Sequence, residues 1–275
     1  HLLMNISASS IPFLVSENRG VEGLPADILS FMCVPLMIRE KVLGVLTAYV
    51  THGGVRFSEK DLYYLSFMAQ NAAQAIENLA LYENIYENLF ATLYGFVSVL
   101  DARDSYTQLH SNRVTDISTI IGRELGCTTE ELDILNVAGR LHDIGKIGIR
   151  DEILLKPDKL TKEEFEKIKE HPLIGANIIK NLGFWNREIN IIKCHHERFD
   201  GTGYPDGLKG KEIPLLSRIL SIADVYDALA SDRPYRKRME EKCILKYMQE
   251  GAGTQFDPEI VEVFLKLYNQ GKIIK

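Results

Sequence analysis

The chain has 275 residues, 45% of them hydrophobic and 25% charged, which is enough for one large domain or two modest ones with real cores. A formal charge of −6 argues against a protein that coats polymeric nucleic acid, although clustered metals and Lys/Arg could still receive a small anionic substrate. Cys33, Cys127, Cys194 and Cys243 stand without a Cys-x-x-Cys pair, a pattern of reduced thiols in a cytoplasmic protein, and no apolar run of about eighteen residues or basic leader marks a membrane span or signal peptide.

Residues 1–57 read as α/β with hairpin features. Two β-rich runs, Val34–Ile38 and Val42–Val50, flank a polar turn at Arg39-Glu40-Lys41, and Gly44 inside the second run predicts a bulge or close packing. Phe57-Ser58-Glu59-Lys60-Asp61 then starts a helix, with Ser58 as cap and Asp61 completing a capping box. Steps of threes and fours from Leu62 meet apolar side chains at Leu65, Ala69, Ala72, Ile76, Leu79, Tyr86, Phe90, Leu93, Val97 and Leu100, interrupted by Glu83. Unbroken, a helix over 58–100 would be on the order of 60 Å long. Such a helix suits parallel dimerisation and coupling of an N-terminal sensor to the C-terminal part of the chain; the alternative is a domain-entry helix packed on its own core. Glu83 and Gly95 mark places where it could break.

From about residue 86 the pattern is helical between Gly/Pro-rich loops, and Thr161-Lys-Glu-Glu164 is a second capping box on a helix ended by His171-Pro172. Here the histidines gather. Of seven in the chain, five occupy four short segments: His110, His142-Asp143, His171 and His195-His196. Asp224 adds a carboxylate, whereas His52 reads as a loop residue and His1 as a terminus. Imidazoles with carboxylates are the ligand set of transition metals that activate water, so the cluster predicts a hydrolase. His110, His142, Asp143 and Asp224 would fill one octahedral site with positions left for water. His171, His195 and His196 are then surplus, which predicts at least two metals bridged by Asp143. Two ions about 3.5–4 Å apart can activate a bridging hydroxide for in-line attack on phosphorus. Adjacent helical residues diverge by about 100°, so His195 and His196 are expected to serve different metals or different shells. Oxygen and imidazole donors without thiolate favour iron, then manganese, over structural zinc. Lys146, three residues after Asp143, is either its salt-bridge partner or a phosphate clamp and proton donor. Arg198, Arg233 and Arg236 offer guanidinium groups to a phosphodiester, with plain surface charge as the alternative.

Val34-Pro35-Leu36, Val42–Leu46, Phe57–Leu62 and Ala72–Asn78 resemble the C-terminal half of a GAF domain, a sensor or dimerisation module. His142-Asp143-Ile-Gly-Lys146 resembles the HD phosphohydrolase motif, and His195-His196-Glu197-Arg198 with Asp200-Gly-Thr-Gly203-Tyr204-Pro205 resembles the second signature of the HD-GYP family. Further agreement runs through Asp101–Ser111, Lys156–Thr161, His171–Ala176 and Ala223–Leu229; the departure is Gln108-Leu109, where the family often has Gly before the first His. The resemblance implies an α+β GAF-like module over 1–80, an incomplete one, whose last helix runs into an all-α HD-GYP bundle over 81–275. It implies hydrolysis of cyclic di-GMP to pGpG and then GMP with two or three divalent metals. His110, His142, Asp143, His171, His195, His196 and Asp224 carry over as ligands, Asp143 and Lys146 as catalytic groups, and Lys146, Arg198, Tyr204, Arg233 and Arg236 as substrate contacts. A third metal would draw on Asp101 or Asp104. The expected assembly is a homodimer through the long helix. The alternatives are an HD-type (d)nucleotide phosphohydrolase and a catalytically silent cyclic di-GMP receptor signalling through the helix.

Overall fold

The computed structural model describes residues 11–103, 110–183, 185–232 and 237–273. Arg233, Arg236, Asp104, the Gln108-Leu109 pair and the side chain of Asp101 lie outside the described residues. The chain divides into two compact units, one ending at Leu89 and one beginning at Phe90.

The first unit holds an antiparallel sheet of order β1-β2-β3, with β1 at Phe13–Val15, β2 at Ser30–Ile38 and β3 at Lys41–Val50. The two-residue turn Arg39-Glu40 joins β2 to β3, and Arg39 takes φ 54°, the left-handed geometry tight hairpins need. The expected irregularity at Gly44 is a bulge: Leu36 faces Gly44 but Met37 faces Val42, leaving Leu43 extra. Strand β2 is buried on both faces, which explains its continuous apolar run. Phe31 and Cys33 pack with Val15, while Met32 and Val34 pack with Leu65 and Ala69. The short strand β1 was not legible in the sequence. It is tied in by the buried Ser30 hydroxyl, which donates to the Val15 carbonyl at 3.0 Å.

Helix α1 spans Glu59–Arg103 and runs without interruption through both Glu83 and Gly95. Its start is half of the expected box. Asp61 Oδ2 accepts from the Ser58 amide at 2.8 Å, but the Ser58 hydroxyl donates to that same oxygen instead of capping an amide. Apolar side chains including Phe67, Leu79, Tyr82, Ile85, Phe96 and Val99 remain exposed along it. No helix among the described residues is long and apolar enough to cross a membrane.

The second unit is helical: α2 (His110–Glu124), α3 (Thr129–Leu141), a 3-10 turn (Ile144–Gly148), α4 (Asp151–Leu154), α5 (Lys162–Ile168), α6 (His171–Asn181), α7 (Asn186–Cys194), α8 (Leu215–Ala230), α9 (Glu241–Glu250) and α10 (Pro258–Asn269). Full capping boxes open α3 (Thr128 with Glu131) and α5 (Thr161 with Glu164), the second as expected. Pro172 lies in the first turn of α6 as well as past the end of α5, since proline suits a first turn, where its missing N–H has no partner to lose. Helix α2 packs on α3 and α8, α6 packs on α7 and the 3-10 turn, and α7 packs on α3 and α8. The histidine segments lie at the ends of these helices, so the packing converges them.

A candidate metal centre

His110 opens α2, His142 directly succeeds α3, His171 opens α6, and His195-His196 directly succeed α7. Asp143 stands just before the 3-10 turn and Asp224 lies within α8. The turn is pressed against the start of α6: a Cβ at Gly145 would lie 1.9 Å from the His171 carbonyl oxygen and 2.5 Å from the Gly175 nitrogen. Glycine here brings Asp143 up to His171.

Three rings are oriented the same way. Nδ1 of His142, His171 and His195 lies 2.7, 2.7 and 2.6 Å from the carbonyl oxygens of Gly139, Ile168 and Ile192, each three residues earlier. A carbonyl only accepts, so each Nδ1 carries a proton and each neutral ring turns an Nε2 lone pair inward. His110 differs, because its Nδ1 bonds to Asp227 Oδ2 at 2.7 Å. The inward atoms meet around Asp143. Its Oδ1 lies 3.4 Å from His171 Nε2, while its Oδ2 lies 3.4 Å from His142 Nε2 and 3.9 Å from His110 Nε2. Asp224 Oδ1 is 3.3 Å from His110 Nε2 and 4.0 Å from His142 Nε2.

Two ligand groups result, His110/His142/Asp143 and His171/His195/His196, with donor atoms within 4.8 Å of one another in each. Asp143 stands between them, its Oδ2 beside His142 and its Oδ1 beside His171. His195 and His196, expected to serve different metals or different shells, fall in the same candidate group. His195, which closes α7, keeps right-handed helical backbone angles (φ −69°, ψ −14°), and the two ring centroids are 4.0 Å apart.

Electrostatics agree with a cation site. Burial would raise the Asp143 carboxyl, but Lys146 and the surrounding imidazoles outweigh it and hold it well below the ordinary range. Asp224 is likewise held low against its own burial, by hydrogen bonding and charge from His110. Burial brings His171 down to about 3 and His195 well below its usual value, so both stay neutral and able to ligate. For His110 burial also favours the neutral ring, yet Asp224 and Asp227 win and lift it to about 9. His142 Nε2 is buried and has no hydrogen-bond partner. A buried lone pair without a donor, aimed at a carboxylate-rich space, fits a divalent metal.

Lys146 Nζ lies 2.5 Å from Asp143 Oδ2, so its salt bridge exists, with the side chain still 28% exposed. The Tyr204 ring lies against His196 at a tilt of 31° with centroids 4.9 Å apart, at the rim of the centre, and Lys169 Nζ sits 5.7 Å from its ring centroid. Arg198 folds onto its own loop, donating to Thr202 Oγ1 at 2.9 Å and Asp200 Oδ2 at 3.1 Å. Two contributors had no role assigned from sequence. Buried Glu197 accepts from the amides of Asp206, Gly207 and Leu208 at 2.7, 3.1 and 3.0 Å, fastening the Gly203-Tyr204-Pro205 loop. Asp227 backs His110. Its spacing of three from Asp224 on one helix was the available signal.

Helices that converge histidines and aspartates from five segments on one buried centre define a metal-dependent HD-type domain. The HD domain family matches residues 97–260, more than half of the chain, and the chain belongs to that family. The GAF domain family matches residues 14–77. The cyclic di-GMP phosphodiesterase response regulator RpfG of Xanthomonas campestris is 40% identical over 192 residues, covering 68% of this chain and 50% of the relative. A cyclic di-GMP phosphodiesterase of Thermotoga maritima is 37% identical over 233 residues, covering 84% and 62%. A 3'3'-cGAMP-specific phosphodiesterase 3 of Vibrio cholerae is 36% identical, covering 74% and 44%. This chain thus spans 44–62% of the length of these relatives. Among solved structures, a cyclic GMP-AMP phosphodiesterase of Vibrio cholerae superposes with TM-score 0.51 at 23% identity over 66% of this chain and 50% of that one, a likeness of fold.

Proposed function

We propose that the chain is a metal-dependent phosphodiesterase that hydrolyses cyclic di-GMP to pGpG and then GMP. The observation that carries this reading is the pair of candidate ligand groups with Asp143 between them, one oxygen 3.4 Å from His142 Nε2 and the other 3.4 Å from His171 Nε2. His110, His142, Asp224 and Asp143 Oδ2 would hold one ion; His171, His195, His196 and Asp143 Oδ1 would hold the other. Nitrogen and oxygen donors without thiolate suit iron or manganese. When bound, such ions supply an activated water at neutral pH and neutralise charge on a phosphoryl group.

The protein's own residues do the rest. Lys146, beside Asp143 and partly open to solvent, holds a phosphate oxygen and protonates the departing oxygen. Tyr204 forms a wall over His196 against which a base can lie, and Glu197 keeps that wall in place. Arg198, Arg233 and Arg236 complete the phosphate contacts. Arg198 must leave Asp200 and Thr202 to do so. The reading divides the chain into a GAF-like module at 1–80 and an HD-GYP domain at 81–275, acting in the cytoplasm as a homodimer. Exposed apolar residues along α1 support that pairing, because a continuous 45-residue helix with an uncovered apolar surface gains by burying it against a second copy.

A substrate panel tests the reading. Metal-loaded protein is expected to consume cyclic di-GMP faster than deoxynucleoside triphosphates, and His142→Ala to abolish turnover. The resemblance to a 3'3'-cGAMP-specific relative makes 3'3'-cGAMP the decisive competitor; preference for it would move the substrate without moving the chemistry.

A further inference from the structure

Among the four buried histidines of the centre, His110 alone is backed by a carboxylate; the other three lean on backbone carbonyls. That carboxylate, Asp227, is 5% exposed at its side chain and is itself clamped. Arg113 Nε donates to Asp227 Oδ1 at 2.5 Å and Arg113 Nη2 to Oδ2 at 2.9 Å, while Nη2 also reaches the Ser231 hydroxyl at 3.1 Å. His110 and Arg113 lie three apart on α2, and Asp224 and Asp227 three apart on α8. Two adjacent helices therefore each present one residue to the centre and one behind it.

We propose that Asp227, held by Arg113, is a positioning residue that fixes the ring and tautomer of His110 and strengthens metal binding at the His110/His142 half alone. The inference rests on the two-ion reading above. A carboxylate on Nδ1–H locks ring orientation and makes the opposite nitrogen more basic than a carbonyl does, and losing such a support commonly weakens metal binding by about 10–100-fold. Among the described residues nothing extends this support to His171 or His195, whose Nδ1 protons go to the carbonyls of Ile168 on α5 and Ile192 on α7.

The test is a titration of metal-free full-length protein with manganese(II), read by calorimetry and by the manganese paramagnetic resonance signal. Wild type is expected to take up two ions, and His110→Gln to identify which step belongs to its half. Asp227→Asn should weaken that step about 10–100-fold and leave the other unchanged. Equal weakening of both steps, or of neither, would overturn the inference, since a merely structural lesion has no reason to choose one half. Should Asp227→Asn fail to fold, Arg113→Lys, at a side chain 37% exposed, is read the same way. Wild type that binds fewer than two ions overturns the two-ion reading itself, and this inference with it.

Discussion

Tyr94 on helix α1 donates its hydroxyl to Asn112 Oδ1 at 2.7 Å, two residues beyond His110. Arg140, two residues before His142, donates to the same oxygen at 3.1 Å and lies 5.1 Å from the Tyr94 ring centroid. The long helix is thereby bonded to the two segments that deliver His110 and His142. Tyr94→Phe should cost about 1 kcal/mol in stability. We expect it to lower kcat a few-fold at unchanged metal content. Activity and metal stoichiometry measured side by side check this; loss of metal instead of rate would mean that Tyr94 only holds the fold.

Glu197→Ala strips three partly buried backbone amides of their charged acceptor, at a cost of about 1–3 kcal/mol. The milder Glu197→Gln should loosen the Tyr204 loop while retaining both ions, raising KM by about 10-fold more than it lowers kcat. Steady-state kinetics on the Gln variant decide this, with a pure kcat effect counting against a substrate-facing role for the loop.

Gly145→Ala places a methyl group inside the His171 carbonyl contact, where backbone rather than a flexible side chain must yield. Overpacking of this kind costs about 1–3 kcal/mol or more. It should separate Asp143 from His171 and reduce metal uptake to about one ion per chain. Elemental analysis of purified protein reads the result.

Glu188, buried in the first turn of α7, has its carboxyl raised by desolvation. With the folded value above the unfolded one, its contribution is fully present below the unfolded value and is lost as pH rises through the folded value. Glu188→Gln should therefore raise the thermal midpoint at pH 7 and give no gain at about pH 4. A constant gain at both pH values would contradict the assignment.

Much of the centre was legible because metal chemistry restricts residue types. Histidine-aspartate segments betray such a centre whatever helices carry them, and Thr161/Glu164 and the Arg39-Glu40 turn are local signals that tertiary packing did not override. For Asp227 the sequence offers only its spacing of three from Asp224, and the partners of Asp227 and Glu197, 117 and 9–11 residues away, arise only through packing. His195 and His196 fall in one candidate ligand group with ring centroids 4.0 Å apart, a proximity set by side-chain packing that their adjacency in sequence does not fix. Glu83 and Gly95 could not be placed by propensity alone: each costs a helix at most about 1 kcal/mol, less than a long cooperative helix can absorb.

Cleavage of a cyclic dinucleotide at this centre is tested most directly by metal removal and return. Full-length protein stripped of metal, and the same protein reloaded anaerobically with iron(II) or manganese(II), should be incubated with cyclic di-GMP and the products separated. The stripped protein should show no turnover, and the reloaded protein should yield pGpG and then GMP. Intact cyclic di-GMP after incubation with protein carrying two ions per chain would contradict the proposed activity.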